Sequence, residues 1–525
     1  MLFNSFEFIF LFLPITLIIF FALGNRNKHR PAMAWLVLCS FFFYGWWNPA
    51  YLSLILFSII FNYTLGTVLG HGNSPLLRKC TLWFGITVNI GSLAYFKYAN
   101  FFVEQLQNVT ELSFNFEYIL LPLAISFFTF QQVAFLVDSY RNETNEYDFL
   151  QYCLFVTFFP QLIAGPIVHH KEMLPQFMQN DRFKINLKNI VIGLSIFSIG
   201  FFKKTVLADG ISPYSNIVFD AAATTGDPIT FFIAWGGALA YTFQLYFDFS
   251  GYSDMAIGLA RLFGIILPLN FYSPYKAINI SEFWRRWHIT LSNFLRDYVY
   301  IALGGNRKGT FSRYKNLFLT MFIGGVWHGA GWNFAFWGAL HGFYLMSNLA
   351  WVKYTQYWSI PIPNSFKKLI AWGLTFTAVV VGWVFFRATT FDAAITILQG
   401  MSGVNGISIP NAIMTRLGSL QEVVTSLGIK AHLGGGNSFV FTWIWILILL
   451  PMTLLLPNTQ DLFSKHKGSL SPRAYEIKNT YWLYFSIGKD IQWKENIVWA
   501  TIISVALITG IMTLSQVSEF LYFQF

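Results

Sequence analysis

The strongest constraint on this chain is the recurrence of unbroken apolar runs, from "LFLPITLIIFFALG" near the start to "IVWATIISVALITGIM" near the end. A helix of about 20 such residues crosses a hydrocarbon core of about 30 Å. In lipid every backbone N–H and C=O must be satisfied internally, which leaves helices and closed barrels. Continuous rather than alternating runs select helices. Stretches of this kind lie near 2–22, 32–50, 51–70, 79–101, 118–140, 149–168, 187–207, 229–265, 316–349, 366–386, 437–456 and 495–514. The 229–265 and 316–349 stretches exceed one crossing at about 1.5 Å per residue, so each is expected to be tilted, broken or re-entrant. The expected fold class is all-α, a polytopic membrane bundle of about 11–14 embedded helices with interfacial amphipathic helices. It forms a single unit over 1–525 with its core motifs in 118–349.

Only 11% of the 525 residues are charged, too few to cover a soluble surface. The opening segment lacks a basic leader and a small-residue cleavage site, so it is expected to be a retained first span. The net charge of +10 does not point to nucleic acid, because the cations cluster between spans. Arg26, Lys28 and Arg30 follow the first span and Arg78 and Lys79 the third, whereas 104–117 carries Glu104, Glu111 and Glu117. The positive-inside rule then places 281–316 and 457–494 in the cytoplasm and both termini, including an aromatic tail at 515–525, outside. Cys39, Cys80 and Cys153 have no disulfide or metal spacing.

Polar residues inside apolar segments are the candidate functional groups. In "GGVWHGAGWNF", Gly324, Gly325, Gly329 and Gly331 permit a helix break, and His328 then faces a cavity with Asn333 as a polar neighbour, or else packs between helices. General-base work on a hydroxyl needs a neutral imidazole, which His328 can supply. His341, thirteen residues on, faces elsewhere on a continuous helix and reads as structural. In "SEFWRRWHITLSNFLRDYVY", Trp284, His288, Leu291, Leu295 and Tyr298 form one stripe of an amphipathic helix in the interface plane, and His288 is as readily a hydrogen-bonded core residue as a functional one. In "YTFQLYFDFSGYSDMAIGLARLFG", Asp248 and Asp254 line a cavity or, more simply, join an internal ion-pair network. Pro160, Gly165 and Pro166 suggest a bent or re-entrant segment before His169 and His170. Those adjacent histidines diverge on a helix or strand, so a shared ligand role is not expected; no zinc spacing occurs and no metal is expected. The terminal "FLYFQF" reads, on composition, as an aromatic interface anchor.

Five stretches together, "PLAISFFTFQQVAFLVDSY", "FPQLIAGPIVHHKEMLPQF", "YFDFSGYSDMAIGLARLFGI", "FWRRWHITLSNFLRDYVYIALGGNRKG" and "GGVWHGAGWNFAFWGALHG", resemble the membrane-bound O-acyltransferases, in particular the bacterial alginate O-acetyltransferase AlgI-like branch. The resemblance implies a helical bundle with a funnel or tunnel across the membrane. It implies that His328 is catalytic and that His288 is the second functional histidine; the polar residues read above, Asn333, Asp248 and Asp254, are then candidate supports. It implies acetyl transfer from a cytoplasmic thioester, acetyl-CoA, towards an exported polysaccharide, completed by an extracytoplasmic partner protein, without a bound cofactor. Arg285, Arg286, Arg307, Lys308 and Arg313 then stand where CoA phosphates arrive, although orientation alone explains the same charges. The tail resembles the Tyr-containing end of companion peptides in teichoic-acid D-alanylation, which makes Tyr522 a candidate acyl relay at the outer mouth. The outer loop 387–437 reads as Gly-rich and irregular. A secondary transporter is the rival reading, since broken helices and intramembrane aspartates suit one, but no repeated halves are visible in the sequence.

Overall fold

Apolar side chains face outward all around this protein, among them Ile15, Ile18, Phe57, Ile60, Leu374, Leu447 and Val505, while Lys204, Asp248 and Arg286 are buried. That inversion is stable only in lipid. A computed structural model describes residues 1–525 apart from 73, 111–115, 145–146, 226, 356–362, 471–490, 515–520 and 522–525. The helices that matter here are α1 (Leu13–Asn25), α2 (His29–Gly45), α3 (Tyr51–His71), α4 (Pro75–Thr110), α5 (Ile125–Tyr140), α6 (Phe149–Thr157) and α7 (His170–Phe177). They continue as α8 (Leu187–Phe202), α9 (Asp209–Thr224), α10 (Phe231–Leu262), α11 (Ile280–Arg286), α12 (Ile289–Phe294), α13 (Gly309–His328) and α14 (Trp332–Thr355). The last are α15 (Asn364–Arg387), α16 (Phe391–Ser402), α17 (Gly436–Leu455) and α18 (Ile497–Met512). The all-α expectation holds. Among the described residues, five helical stretches, Phe8–Asn25, Tyr51–His71, Leu187–Thr224, Asn364–Arg387 and Gly436–Leu455, are long and apolar enough to cross a bilayer on their own.

Helix α10 is the centre of the bundle. Of the tilted, broken and re-entrant alternatives for this stretch, the broken one is excluded: it is one α-helix of 32 residues, about 48 Å long at 1.5 Å per residue. Every residue from Gly236 to Leu262 except Leu239 is buried, so its polar groups never meet lipid. Helix α8 lies antiparallel against it at very short range. A Cβ on Gly251 would stand 2.7 Å from the Gly200 carbonyl oxygen, and one on Gly193 would stand 2.8 Å from that of Gly258. Without a hydrophobic driving force between helices in lipid, such small-residue contacts supply the dispersion that holds them.

The long 316–349 stretch does break, between α13 and α14 at Gly329–Gly331. The 149–168 stretch also bends: α6 ends at Thr157 and only a short turn, Phe159–Leu162, follows before Pro166. Other expectations need correction. The 118–140 span becomes helical only at Ile125, after Ala124 at φ 60. The amphipathic helix read over 281–298 is two helices, because His288 takes φ 42 and ends the register between α11 and α12. Loop 387–437 is not irregular: it contains α16 and a parallel pair of strands, β1 (Ser408–Pro410) and β2 (Lys430–His432).

Gly251→Ala is expected to push α8 from α10 and destabilise the protein by about 1–3 kcal/mol, seen as a lower thermal midpoint in detergent. Gly91→Ala, where a Cβ meets nothing within 4 Å, is the control and should be neutral or slightly stabilising.

Candidate active site

Two helix breaks deliver the two histidines to one place. His328 is the last residue of α13, and His288 is the residue between α11 and α12. Both are buried, at 7% and 1% exposure. Together with Leu245, Asp248, Phe249, Trp287, Trp337, Trp383, Phe386 and Leu521 they line a narrow cavity of about 20 Å³, room for about one water. The His328 ring stands 5.1 Å from Trp337 and 5.3 Å from Phe386, edge to face in both cases. His288 sits 4.7 Å from the Phe249 ring. Aromatic walls of this kind shape a dry slot in which hydrogen bonds act at full strength.

The break at His328 frees carbonyls that lipid cannot satisfy. Two neighbours on α4 meet them. The Lys97 ammonium donates to the carbonyls of Trp327 (2.6 Å) and His328 (2.9 Å), and the Tyr98 hydroxyl donates to that of Val326 (2.5 Å). Lys97 is 9% exposed and has no carboxylate partner among the described residues; its charge lies at the negative end of the α13 dipole. This residue was missed in the sequence, although a lysine inside "SLAYFKYANFF" is the signal that intramembrane charge provides.

The aspartates separate. Asp248 reaches the cavity and is held by Lys204 at 2.7 Å, which also pairs with Asp209 at 2.7 Å. Asp254 lies away from the cavity, bound to Lys203 (2.6 Å), Thr459 (2.6 Å) and Gln460 (3.3 Å). A π-helical turn at Lys203–Ala208 sends these two adjacent lysines to two aspartates nearly two turns apart on α10. The ion-pair network expected for this motif is present. Asn333 gives its amide to the Ala388 carbonyl at 2.7 Å and ties α14 to the end of α15; it does not line the cavity. His341 stands behind Trp337, 4.8 Å from its ring, and accepts from the Trp284 indole at 3.3 Å.

Arg286 is fully buried and paired with Glu282 at 2.6 Å, so it cannot also meet a phosphate. Arg285, Arg307, Lys308 and Arg313 are exposed. Of the aromatic tail at 515–525 only Leu521 is described; it is buried in the bundle and donates its N–H to Asp248 at 3.3 Å. Tyr522 lies outside the described residues.

His169 and His170 do not diverge. His169 is the extended N-cap of α7 and His170 its first residue, so the usual helical offset does not apply. Both Nε2 atoms meet Asp138 Oδ2, at 2.5 and 3.1 Å, and the Tyr298 hydroxyl donates to the same oxygen at 3.0 Å. The His169 Nδ1 accepts from the Lys171 N–H, which leaves the ring hydrogen on Nε2. These contacts make a hydrogen-bonded clip joining α5, α7 and the segment after α12, and the Asp138, His169 and His170 ligand atoms all lie within 4.8 Å of one another, close enough to hold a metal ion.

Lys97→Met removes the ammonium donor from the Trp327 and His328 carbonyls. An unmet buried acceptor costs about 1–3 kcal/mol, so the thermal midpoint in detergent should fall clearly, and Tyr98→Phe, which removes one bond, should lower it less.

A family model described as MBOAT, membrane-bound O-acyltransferase family, matches residues 76–386, which contain both histidines and the core of the cavity. A peptidoglycan O-acetyltransferase of Helicobacter pylori is 45% identical over 436 residues, covering 78% of this chain and 81% of its own. A probable alginate O-acetylase AlgI of Pseudomonas putida is 37% identical over 537 residues, covering 100% of both chains. A teichoic acid D-alanyltransferase of Bacillus subtilis is 27% identical over 277 residues, covering 51% of this chain and 69% of its own. This multi-pass bacterial membrane chain belongs to the membrane-bound O-acyltransferase family, in its AlgI-like branch, and is an O-acyltransferase.

Proposed function

We propose that this enzyme takes an acetyl group from acetyl-CoA at the cytoplasmic face of the inner membrane and passes it across the bilayer for O-acetylation of a cell-envelope or exported polysaccharide. An extracytoplasmic acetyltransferase completes the delivery. The reading rests on one observation: His328 and His288, brought by two separate helix breaks, share one buried aromatic-walled cavity. The named relatives act on peptidoglycan, alginate and teichoic acid, all polymers beyond the cytoplasm, which supports a polymer acceptor.

In this mechanism His328 is the base. It takes the proton of an attacking hydroxyl as the oxygen adds to the thioester carbonyl carbon, with His288 assisting. The C–S bond then breaks, the proton goes to the departing thiolate, and the products are an acetyl ester and free CoA. Asp248, neutralised by Lys204, stiffens the wall; Asn333 and Asp254 act at a distance by holding helices. Of the proposed phosphate contacts, the exposed Arg285, Arg307, Lys308 and Arg313 remain suited to the task. The basic segment facing the cytosol sets both termini on the outer side.

Tyr522 is the proposed first acceptor. Support comes from its chain neighbour Leu521, which lines the same cavity as the two histidines. A tyrosyl ester has a leaving group of pKa about 10, against about 8.5 for a thiol. The acetyl group thus remains activated for onward transfer to an aliphatic hydroxyl.

Purified protein incubated with radiolabelled acetyl-CoA should release CoA in a His328-dependent way. His328→Ala, if still folded, is expected to lose roughly 100-fold or more in turnover, the scale of a positioned base; unchanged turnover overturns the assignment. Tyr522→Phe removes only a hydroxyl and should abolish both labelling of the protein and polysaccharide acetylation in cells. Acetylated polymer made by that variant would exclude the relay.

A further inference from the structure

His288 is held by a residue outside every motif discussed above. Asn270, fully buried in the segment after α10, grips the start of α12 with both its backbone and its side chain. Its carbonyl accepts from the Ile289 N–H at 2.9 Å. Its Oδ1 accepts from the Thr290 hydroxyl (2.9 Å) and the Thr290 N–H (3.4 Å) and faces His288 Nδ1 at 3.0 Å. The Thr290 hydroxyl in turn accepts from the Ile167 N–H at 3.0 Å, so the grip extends to the "AGPI" turn.

The donors settle which way the amide points. A backbone N–H can only donate, so the atom facing Thr290 must be oxygen; a turned amide would set NH₂ against N–H. His288 Nδ1 therefore carries the hydrogen it shares with Asn270. In a neutral imidazole the other nitrogen then has a bare lone pair. That nitrogen, Nε2, is buried and without a hydrogen-bond partner, on a residue that lines the cavity shared with His328. The left-handed backbone of His288, φ 42, is a strained state for a residue with a Cβ, and the Asn270 bonds to its ring and to the two residues after it hold it there.

We propose that Asn270 is a positioning residue that locks His288 as the Nδ1–H tautomer, so that its Nε2 serves as the acceptor for the proton carried by His328. This rests on the acyl-transfer reading above and specifies how His288 assists. When the attacking hydroxyl loses its proton to His328, the ring of His328 gives up its other proton to His288 Nε2, directly or through one water. When the C–S bond breaks, the proton returns by the same route to the thiolate sulfur, and both rings are neutral again.

The test compares variants of the full-length protein by turnover of radiolabelled acetyl-CoA. Asn270→Leu removes the acceptor and is expected to lower kcat roughly 100-fold, the low end for a positioned acid or base, with the KM for acetyl-CoA little changed. Asn270→Asp keeps an oxygen in place and should recover most of that loss. Native turnover in Asn270→Leu alongside an inactive His288→Ala overturns the clamp alone, as does an Asp variant no better than Leu. Full turnover in His288→Ala overturns the clamp together with the reading it rests on. Should Asn270→Leu not fold, ¹⁵N-histidine spectra of the native protein, assigned against His288→Ala, give the answer directly. The expected His288 signal is a neutral ring protonated on Nδ1, and a ring protonated on Nε2 defeats the proposal.

Discussion

A helix that stops inside hydrocarbon must hand its last carbonyls to donors, because no water is there to take them. Lys97 and Tyr98 do this for α13. The consequence runs through the whole site. Because those carbonyls are met, α13 can end at His328 instead of continuing into α14, and the imidazole sits at a fixed end rather than on the side of a rod. The ammonium is itself tolerated at this depth because a helix C-terminus carries partial negative charge.

The second histidine uses the same device in another form. His288 also lies at a break, but there the unmet groups are the N–H donors that open α12, and Asn270 meets those of Ile289 and Thr290 with its backbone carbonyl and its side-chain oxygen. One break is closed by a cation on carbonyls and the other by an amide oxygen on N–H groups. Both place a histidine where an unbroken helix would have turned it with its neighbours. Around them the core is stiff for separate reasons: the glycine-lined contact of α8 with α10, and the lysine pair that neutralises Asp248 and Asp254.

Much of this was legible before any coordinates. The glycines around His328 marked a break, and a break is where α13 ends. The polar side chains in 241–261 marked a buried network, because lipid admits no other place for them. Reading failed where helical periodicity was extended through a residue that breaks it. His288 looked like one position in a continuous stripe, and His169 and His170 looked like neighbours bound to diverge. Each lies at a helix start, where the 100° rule has no force, and Asp138 gathers the second pair.

The sequence alone determined the solvent, the helical class, the family motifs and the identity of the histidines, since these follow from composition and from spacing along the chain. Tertiary structure decided which polar groups meet. Lys97 finds Trp327 and His328 more than two hundred residues away, Asn270 finds His288 across a turn, and Leu521 finds Asp248 from the far end of the chain. Such pairings depend on how buried surfaces fit and on every buried donor needing an acceptor. Those conditions are met only when the whole bundle is assembled, and local pattern does not contain them.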